Sequence, residues 1–324
     1  MKPRIALLFL ALGASLPAAQ AQTGNWPEKP VRIIVSYPPG GATDIVGRLV
    51  GQKLSEALKQ PFIIESRPGA AGNIGHDYVA KAPPDGYTLL VGSVGPVAAS
   101  VHVYAKLPYD PLRDFAYITM LIRQPHVLVL HPSVPARSVK EFIALARSRA
   151  GKLNYASGGP GGSQHLAAEL FIMMTPGISM VQVPYKGGAP ALNDLVGGQV
   201  DLMFPNIAEA TPFIRAGRLR VLAVTSVQRS SMLPDVPTMQ ESGLAGFDFL
   251  SWLGLVAPAG TPKDVIVKLN ATVNKALLSS DLRSRMTDLG LEVAGGTAEE
   301  FQAFVKKEIV KYGKIVKASG MERQ

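Results

Sequence analysis

Two glycine turns, each between a predicted strand and a predicted helix, carry the residues that could do chemistry. The first turn runs from Tyr37 to Asp44 in the sequence YPPGGATD, and the second from Ser157 to His165 in the sequence SGGPGGSQH. Glycine lets the backbone approach a ligand closely, and the first N–H groups of a helix have no partner within the helix. These features favour an anion-binding site, although an ordinary strand–helix turn remains open for either stretch alone.

Hydroxyl and acidic side chains at the two turns support that hypothesis. Thr43 and Ser163 are suitable N-caps, and Asp44 suits the first turn of a helix, where negative charge is favoured. His165 could touch a ligand beside the second turn, although a histidine in such a place more often caps or packs. Tyr37 either lines a cleft or packs in the core.

Neither turn fits a catalytic or nucleotide-binding motif. Ser93 lies in VGSVG, which lacks the first glycine of the hydrolase motif G-x-S-x-G, and Ser163 lies in GGSQH, which lacks the last one. Neither turn has the Lys-Ser/Thr pair of a P-loop, and Gly159 and Gly161 lack the third glycine of a dinucleotide fingerprint. We therefore predict binding without catalysis and without a cofactor. An exported hydrolase that uses Ser93 or Ser163 remains a minor alternative.

Composition excludes several other kinds of function. The chain has no cysteine, which excludes disulfides, thiolate nucleophiles and Cys-based metal sites. None of its 5 histidines has H-x-x-x-H spacing, so no metal site is predicted. The formal charge of +9 favours anionic ligands through long-range steering. No run of Lys and Arg with interleaved aromatic residues indicates nucleic acid binding.

The start of the chain predicts export. Lys2 and Arg4 precede an apolar run at Ile5–Ala14, and Ala19-Gln20-Ala21 has the small-x-small pattern of a cleavage site. The apolar run is shorter than the roughly 20 residues that span a bilayer. We predict a cleaved signal peptide at residues 1–21 and a soluble mature chain in a bacterial periplasm, with an uncleaved anchor as the alternative.

Strands and helices alternate along most of the mature chain. Predicted strands at Val31–Ser36, Pro61–Ser66 and Tyr87–Gly92 indicate a parallel sheet, whose ligands bind beyond the carboxyl ends of the strands. The first glycine turn and Ser93 both fall at such ends. The second half repeats the pattern, and an apolar strand at Phe249–Ala257 would return the chain to its first domain.

We predict two α/β domains, each a mostly parallel sheet flanked by helices, with a cleft between them. About 300 mature residues favour two domains over one. Domain 1 would comprise residues 22–122 and 247–324, and domain 2 residues 123–246. The proline-punctuated stretch Leu107–Phe115 marks the change of domain.

Longer motifs resemble the receptors of tripartite tricarboxylate transporters, the Bug or TctC-like solute-binding proteins. They follow the order of that family over nearly the whole mature chain. They are Tyr37–Asp44, Glu65–Gly75 (ESRPGAAGNIG), Pro84–Leu90 (PDGYTLL), Asn154–Phe171 (NYASGGPGGSQHLAAELF), Val183–Phe204, Leu222–Gly243 and Trp252–Pro262.

The resemblance implies a type II periplasmic-binding-protein fold, in which two hinged α/β domains hold a ligand between them. It implies a small organic carboxylate as ligand: a dicarboxylate, tricarboxylate, acidic amino acid or aromatic acid. It assigns the carboxylate contact to Tyr37, Gly40, Gly41, Thr43 and Asp44, the facing contact to Ser157, Gly158 and Ser163, and the distal end to Ser93 and Asn206. His165 completes the predicted set. Pro38 departs from the family pattern and removes one backbone N–H donor.

The resemblance also implies the partners. We expect a monomeric receptor that closes over its ligand and is then recognised by integral-membrane transporter subunits. An orphan receptor that signals to a membrane sensor is the alternative. Nucleic acid is not expected as a partner.

Overall fold

The computed structural model of the protein describes residues 25–319, and the predicted signal peptide lies outside the described residues. In chain order the strands are β1 (Val31–Val35), β2 (Phe62–Ser66), β3 (Thr88–Ser93), β4 (Phe115–Pro125), β5 (Val127–Leu130), β6 (Asn154–Ser157), β7 (Val181–Pro184), β8 (Leu202–Met203), β9 (Arg220–Val224), β10 (Leu250–Pro258) and β11 (Glu292–Gly295).

Helices connect and cover these strands. They are α1 (Ala42–Leu58), α2 (Asn73–Ala80), α3 (Ser100–Val103), α4 (Val139–Ser148), α5 (Ser163–Met174), α6 (Gly188–Val196), α7 (Ile207–Arg215), α8 (Lys263–Leu277), α9 (Ser280–Asp288) and α10 (Ala298–Ala318). A 3-10 turn at Ala70–Gly72 precedes α2, and a short π-helix at Gly95–Ala99 precedes α3. Among the described residues, no helix is long and apolar enough to cross a membrane.

The strands form two sheets, which confirms the predicted α/β class. The first sheet has the order β11-β4-β10-β3-β1-β2, and the second has the order β7-β6-β8-β5-β9. Strands β2, β1 and β3 are parallel, as are β7, β6 and β8. The remaining pairs are antiparallel, so the sheets are mixed where the sequence predicted mostly parallel ones. In the first sheet the reason is that β4 leads out of it and β10 runs back beside β4 in the opposite direction.

The chain crosses between the sheets at His126 and again after β9. Only His126 separates β4 from β5, and Thr225 ties the two crossings together. Its N–H donates to the His126 carbonyl (2.9 Å), and its Oγ1 hydrogen-bonds with the Phe249 carbonyl (2.7 Å). The stretch Leu107–Phe115 therefore does not mark the change of domain, because β4 follows it and adds a strand to the first sheet. The predicted domain limits at 122/123 and 246/247 stay predictions.

The long C-terminal helix α10 packs on the first sheet with the apolar stripe that its sequence predicts. Phe301, Val305, Tyr312 and Val316 are buried, and each such side chain contributes roughly 1.5–3 kcal/mol through burial. The predicted capping box is confirmed, because the Thr297 side chain accepts from the backbone N–H at the third helical position and that glutamate reaches back to the cap. Helix α10 thus packs against β4 and β10, the strands next to the two crossings.

Candidate functional site

A cavity of about 50 Å³ lies between the two sheets, where helix starts from both sides meet. It is small because the two sides of the molecule touch around it. The first side contributes Tyr37, Pro38, Gly41, Ala42, Thr43, Ser93, Val94 and Gly95, the crossing strands β4 and β10 contribute Gln124, Ser251, Trp252 and Leu253, and the second side contributes Ser163, Gln164, Gly188, Ala189, Asn206 and Glu209.

The lining is rich in hydrogen-bond donors and poor in charge. The starts of α1, α5, α6 and α7 reach it, together with hydroxyl and amide side chains. Among residues 25–319, no Lys, Arg or His lines the cavity, and Glu209 is its one carboxylate. The first N–H groups of a helix favour negative charge. The site can therefore hold an anionic group by dipoles and hydroxyls without a cation.

The first glycine turn places the start of α1 at the cavity. The helix begins at Ala42 with Gly41 as its N-cap, so the predicted N-cap role of Thr43 is wrong. Because Thr43 lies inside the first turn, its side chain is free of capping and lines the cavity. Asp44 turns away, and its Oδ2 accepts from the Gly40 N–H (3.1 Å) and from Arg48 Nε (3.0 Å). Asp44 thus stabilises the turn.

The second glycine turn has the same design. Helix α5 begins at Ser163 with Gly162 as N-cap, so the predicted N-cap role of Ser163 is also wrong. The Ser163 hydroxyl lies 3.1 Å from His126 Nε2 instead, and Ser163 lines the cavity. His165 Nδ1 accepts from the Gly161 N–H (2.9 Å), and its Nε2 lies 3.5 Å from a carboxylate oxygen of Glu169. His165 therefore holds the turn in shape.

The Ser163–His126 contact has the spacing of a nucleophile and its base, but no third group orients that base among the described residues. His126 Nδ1 is buried and has no hydrogen-bond partner among the described residues, whereas a catalytic histidine is oriented by a third group. Burial lowers the pKa of His126 to about 3, so it is neutral at neutral pH. We read the contact as a link between the crossing at His126 and the start of α5.

Six of the predicted site residues meet at the cavity and five do not. The lining residues are Tyr37, Gly41, Thr43, Ser93, Ser163 and Asn206. The others are Gly40, Asp44, Ser157, Gly158 and His165. Ligand contact stays a prediction for all of them. Ser157 Oγ accepts from the Gln182 amide (2.7 Å), and the Gly158 N–H donates to Gln164 Oε1 (3.4 Å), so both residues take part in bonds within their own domain.

The Tyr37 ring closes one side of the cavity. Its hydroxyl donates to the Ala71 carbonyl (2.8 Å) and lies 3.5 Å from Ser93 Oγ. Burial raises the pKa of Tyr37 to about 12, so the phenol stays neutral. Tyr37 and Ser93 therefore form a linked pair of hydroxyls on the first side.

Sequence reasoning missed several lining residues. Gln124 lies on β4, a strand that was not predicted, and Ser251 lies on β10 opposite it. Gly188 and Glu209 lie at or near the starts of α6 and α7. The turns before these two helices, Lys186-Gly187-Gly188 and Pro205-Asn206, are visible in the sequence and could have pointed to them.

Glycines allow the two sides of the cleft to touch. A Cβ at Gly95 would lie 3.0 Å from the Gly161 carbonyl oxygen across the cleft, and one at Gly187, where φ is +138°, would lie 2.9 Å from Pro38 Cδ. Both contacts join the first side to the second. The structure therefore shows the cleft with its walls in contact.

Metal ligands are not grouped in the part of the chain that the structure describes. Residues 25–319 contain no cluster of three or more His, Cys, Asp or Glu side chains that could hold an ion. The donors at the cavity instead suit a small organic anion.

Comparison with known proteins supplies the family. Residues 46–321 match the family described as "Tripartite tricarboxylate transporter family receptor". An R. palustris protein, Rpa4515, solved with adipate, is 38% identical with a TM-score of 0.89 and covers 92% of this chain and 100% of its own. MatC from Rhodopseudomonas palustris, solved with bound malate, is 36% identical with a TM-score of 0.85 and covers 90% of this chain and 100% of its own.

A third solved structure settles the fold. The periplasmic binding protein BugD is 35% identical with a TM-score of 0.87, and the match covers 92% of this chain and 100% of that one. This likeness confirms the predicted two-domain periplasmic-binding-protein fold. The predicted resemblance is confirmed as well, and the chain belongs to the tripartite tricarboxylate transporter receptor family, whose relatives include the Bug periplasmic binding proteins.

Proposed function

We propose that this protein is a periplasmic receptor that captures a small organic carboxylate in the cavity between its domains. The observation that carries the proposal is the meeting of helix starts and hydroxyls from both sides at a cavity without basic side chains. Backbone N–H groups at helix starts bind carboxylates well. The adipate and malate in the two R. palustris structures support this class of ligand.

The fold suits capture by closure. The two crossings lie side by side, tied by Thr225, so the domains can rotate about them while each sheet stays intact. A ligand can contact Thr43 on one side and Ser163 on the other at the same time only when the cleft is closed. Its binding energy then shifts the population toward the closed state.

The closed receptor would deliver its ligand to integral-membrane transporter subunits. We propose a monomer that is exported through a cleaved signal peptide at residues 1–21 and acts without catalysis or cofactor. Membership of a family of transporter receptors supports this assignment. The unpartnered His126 Nδ1 supports binding over hydrolysis, because no group in residues 25–319 orients His126 as a base.

Ligand-dependent stability tests the proposal. Refolded mature protein is screened by thermal shift against adipate, malate, glutamate, 6-aminohexanoate and benzoate, and each hit is measured by calorimetry. An acid present at roughly 100 times its dissociation constant should add about 2.7 kcal/mol to the free energy of unfolding. 1,6-Hexanediol, which lacks the carboxylates of adipate, is the control. If the diol stabilises the protein as well as the acids do, or if no acid stabilises the protein, the proposal is wrong.

A further inference from the structure

The carboxylate of Glu209 lies at the cavity between two helix starts. Its Oε1 accepts from the Ala42 N–H at the start of α1, 3.3 Å away across the cleft. Its Oε2 lies near the start of α6, since a Cβ at Gly188 would be 2.9 Å from it. Residue 209 as a whole is only partly buried, but Oε2 itself is buried and has no hydrogen-bond partner among the described residues.

Two opposing effects act on the charge of this carboxylate. Burial raises the pKa of Glu209, and the hydrogen bond from the Ala42 N–H opposes that shift. Within the described part of the chain, no basic side chain lines the cavity to neutralise it. The positive ends of α1 and α6 are therefore the main local compensation.

An ionised carboxylate with an unpartnered oxygen restricts what can share the cavity. A ligand group that donates a hydrogen bond to Oε2 satisfies a buried atom that otherwise lacks a partner. A second ionised carboxylate placed there would face a like charge at short range in a partly desolvated space. The same side chain thus attracts a donor and repels an anion.

We infer that Glu209 is a specificity-determining residue that selects carboxylate ligands carrying an ammonium or amide N–H donor over ligands that present a second ionised carboxylate to it. This inference rests on the proposed function, because it takes the ligand's own carboxylate to be held elsewhere in the cavity, by Thr43 and the start of α5. The chemical class is therefore an amino or amido acid.

Matched ligands and one isosteric variant test the inference. Calorimetry compares 6-aminohexanoate, adipate and hexanoate, which share a chain length and differ at one end, on the wild type and on Glu209→Gln. The wild type should bind 6-aminohexanoate at least tenfold more tightly than adipate. Glu209→Gln should lose that preference, because its neutral amide no longer attracts the ammonium or repels the carboxylate. Glu292→Gln, exposed on β11, removes the same charge away from the cavity and should keep the preference.

The outcomes separate the two claims. If the wild type prefers adipate, or if Glu209→Gln keeps the wild-type preference, the inference is overturned while the receptor proposal stands. If none of the three acids binds, the test is repeated with glutarate and its monoamide, which differ at one end only, in a carboxylate against an amide. If none of the six-carbon and none of the five-carbon ligands binds, the inference is overturned. The wider screen then decides the receptor proposal. Melting temperatures of both variants verify folding, and Glu209→Ser replaces Glu209→Gln if the latter is unfolded.

Discussion

At the residue scale, the cavity presents hydroxyls and backbone N–H groups where other anion sites use arginine or lysine. Thr43 and Ser163 lie in the first turns of α1 and α5, one on each side of the cleft. Neither side chain caps its helix. The Ser163 hydroxyl contacts His126 Nε2 at 3.1 Å and, with one donor and two acceptor lone pairs, keeps capacity for a ligand. Tyr37 stays protonated because of burial, and its hydroxyl lies 3.5 Å from the Ser93 hydroxyl.

Removing the Thr43 hydroxyl should weaken carboxylate binding. Thr43→Val keeps the shape of the side chain and deletes one donor, which costs about 1–3 kcal/mol if that donor is buried against the ligand. Thr43 is only 7% exposed, so little water can replace the lost bond. Calorimetry with the best acid from the screen measures the change. Thr272→Val, whose hydroxyl bonds within α8 to Lys268, is the control. Unchanged affinity in Thr43→Val would remove this residue from the site.

At the element scale, paired strand–turn–helix units from the two domains make the site. The ends of β1 and β3 lie on one side, and the start of α5 after β6 lies on the other. Closure needs backbone contact between these units. Gly95, in the π-helix after β3, faces the second glycine turn at a distance that leaves little room for a side chain.

A methyl group at Gly95 should therefore hinder closure. Its Cβ would lie 3.0 Å from the Gly161 carbonyl oxygen, which is tighter than ordinary packing. Overpacking of this kind costs about 1–3 kcal/mol, and here it falls on the closed state alone. Gly95→Ala should weaken ligand affinity and increase the radius of gyration of the liganded protein in small-angle X-ray scattering. Gly197→Ala, where a Cβ has ordinary room, is the control. Wild-type affinity and compactness in Gly95→Ala would refute this role.

The sequence predicts these units well and the strands between them poorly. Both glycine turns, the capping box at Thr297 and the returning strand β10 follow from local patterns of glycine, hydroxyl and apolar residues. Strand β4 was missed because the prolines before it suggested a domain change. Strand β11 was missed because EVAG is short and half-exposed at the sheet edge.

Glu209 shows why the site could not be predicted in full. Its hydrogen bond to the Ala42 N–H joins residues 167 positions apart. Nothing in the local sequence of α7 indicates that its first turn lies against α1. That contact depends on how the two domains pack against each other. The residue pattern of a single helix does not indicate this packing.

At the scale of the whole molecule, buried neutral histidines couple folding to pH. His76 lies inside the first domain and His126 at the crossing, and both are fully buried. Burial lowers the pKa of His76 to about 4 and that of His126 to about 3. In the unfolded chain a histidine titrates near 6.5, about two units or more higher.

Stability should therefore fall on acidification. Below about pH 6.5 the two histidines bind protons in the unfolded chain but not in the folded protein. The free energy of unfolding therefore falls by up to about 1.4 kcal/mol per pH unit for each histidine. The fall continues until the folded-state pKa values are reached. Urea unfolding between about pH 7 and pH 5 measures the slope. His76→Asn should show a shallower slope than the wild type, and an equal slope would contradict the assignment to His76.

A crystal structure of the protein with the tightest-binding acid from the screen tests the central claim most directly. We expect one ligand carboxylate inside the cavity between the sheets, within about 3.2 Å of donors from both sides, including Thr43 and the start of α5. Water can bridge some of these contacts. A ligand bound outside this cavity, or held by one domain alone, would contradict the claim that this protein captures a carboxylate between the helix N-termini of its two domains.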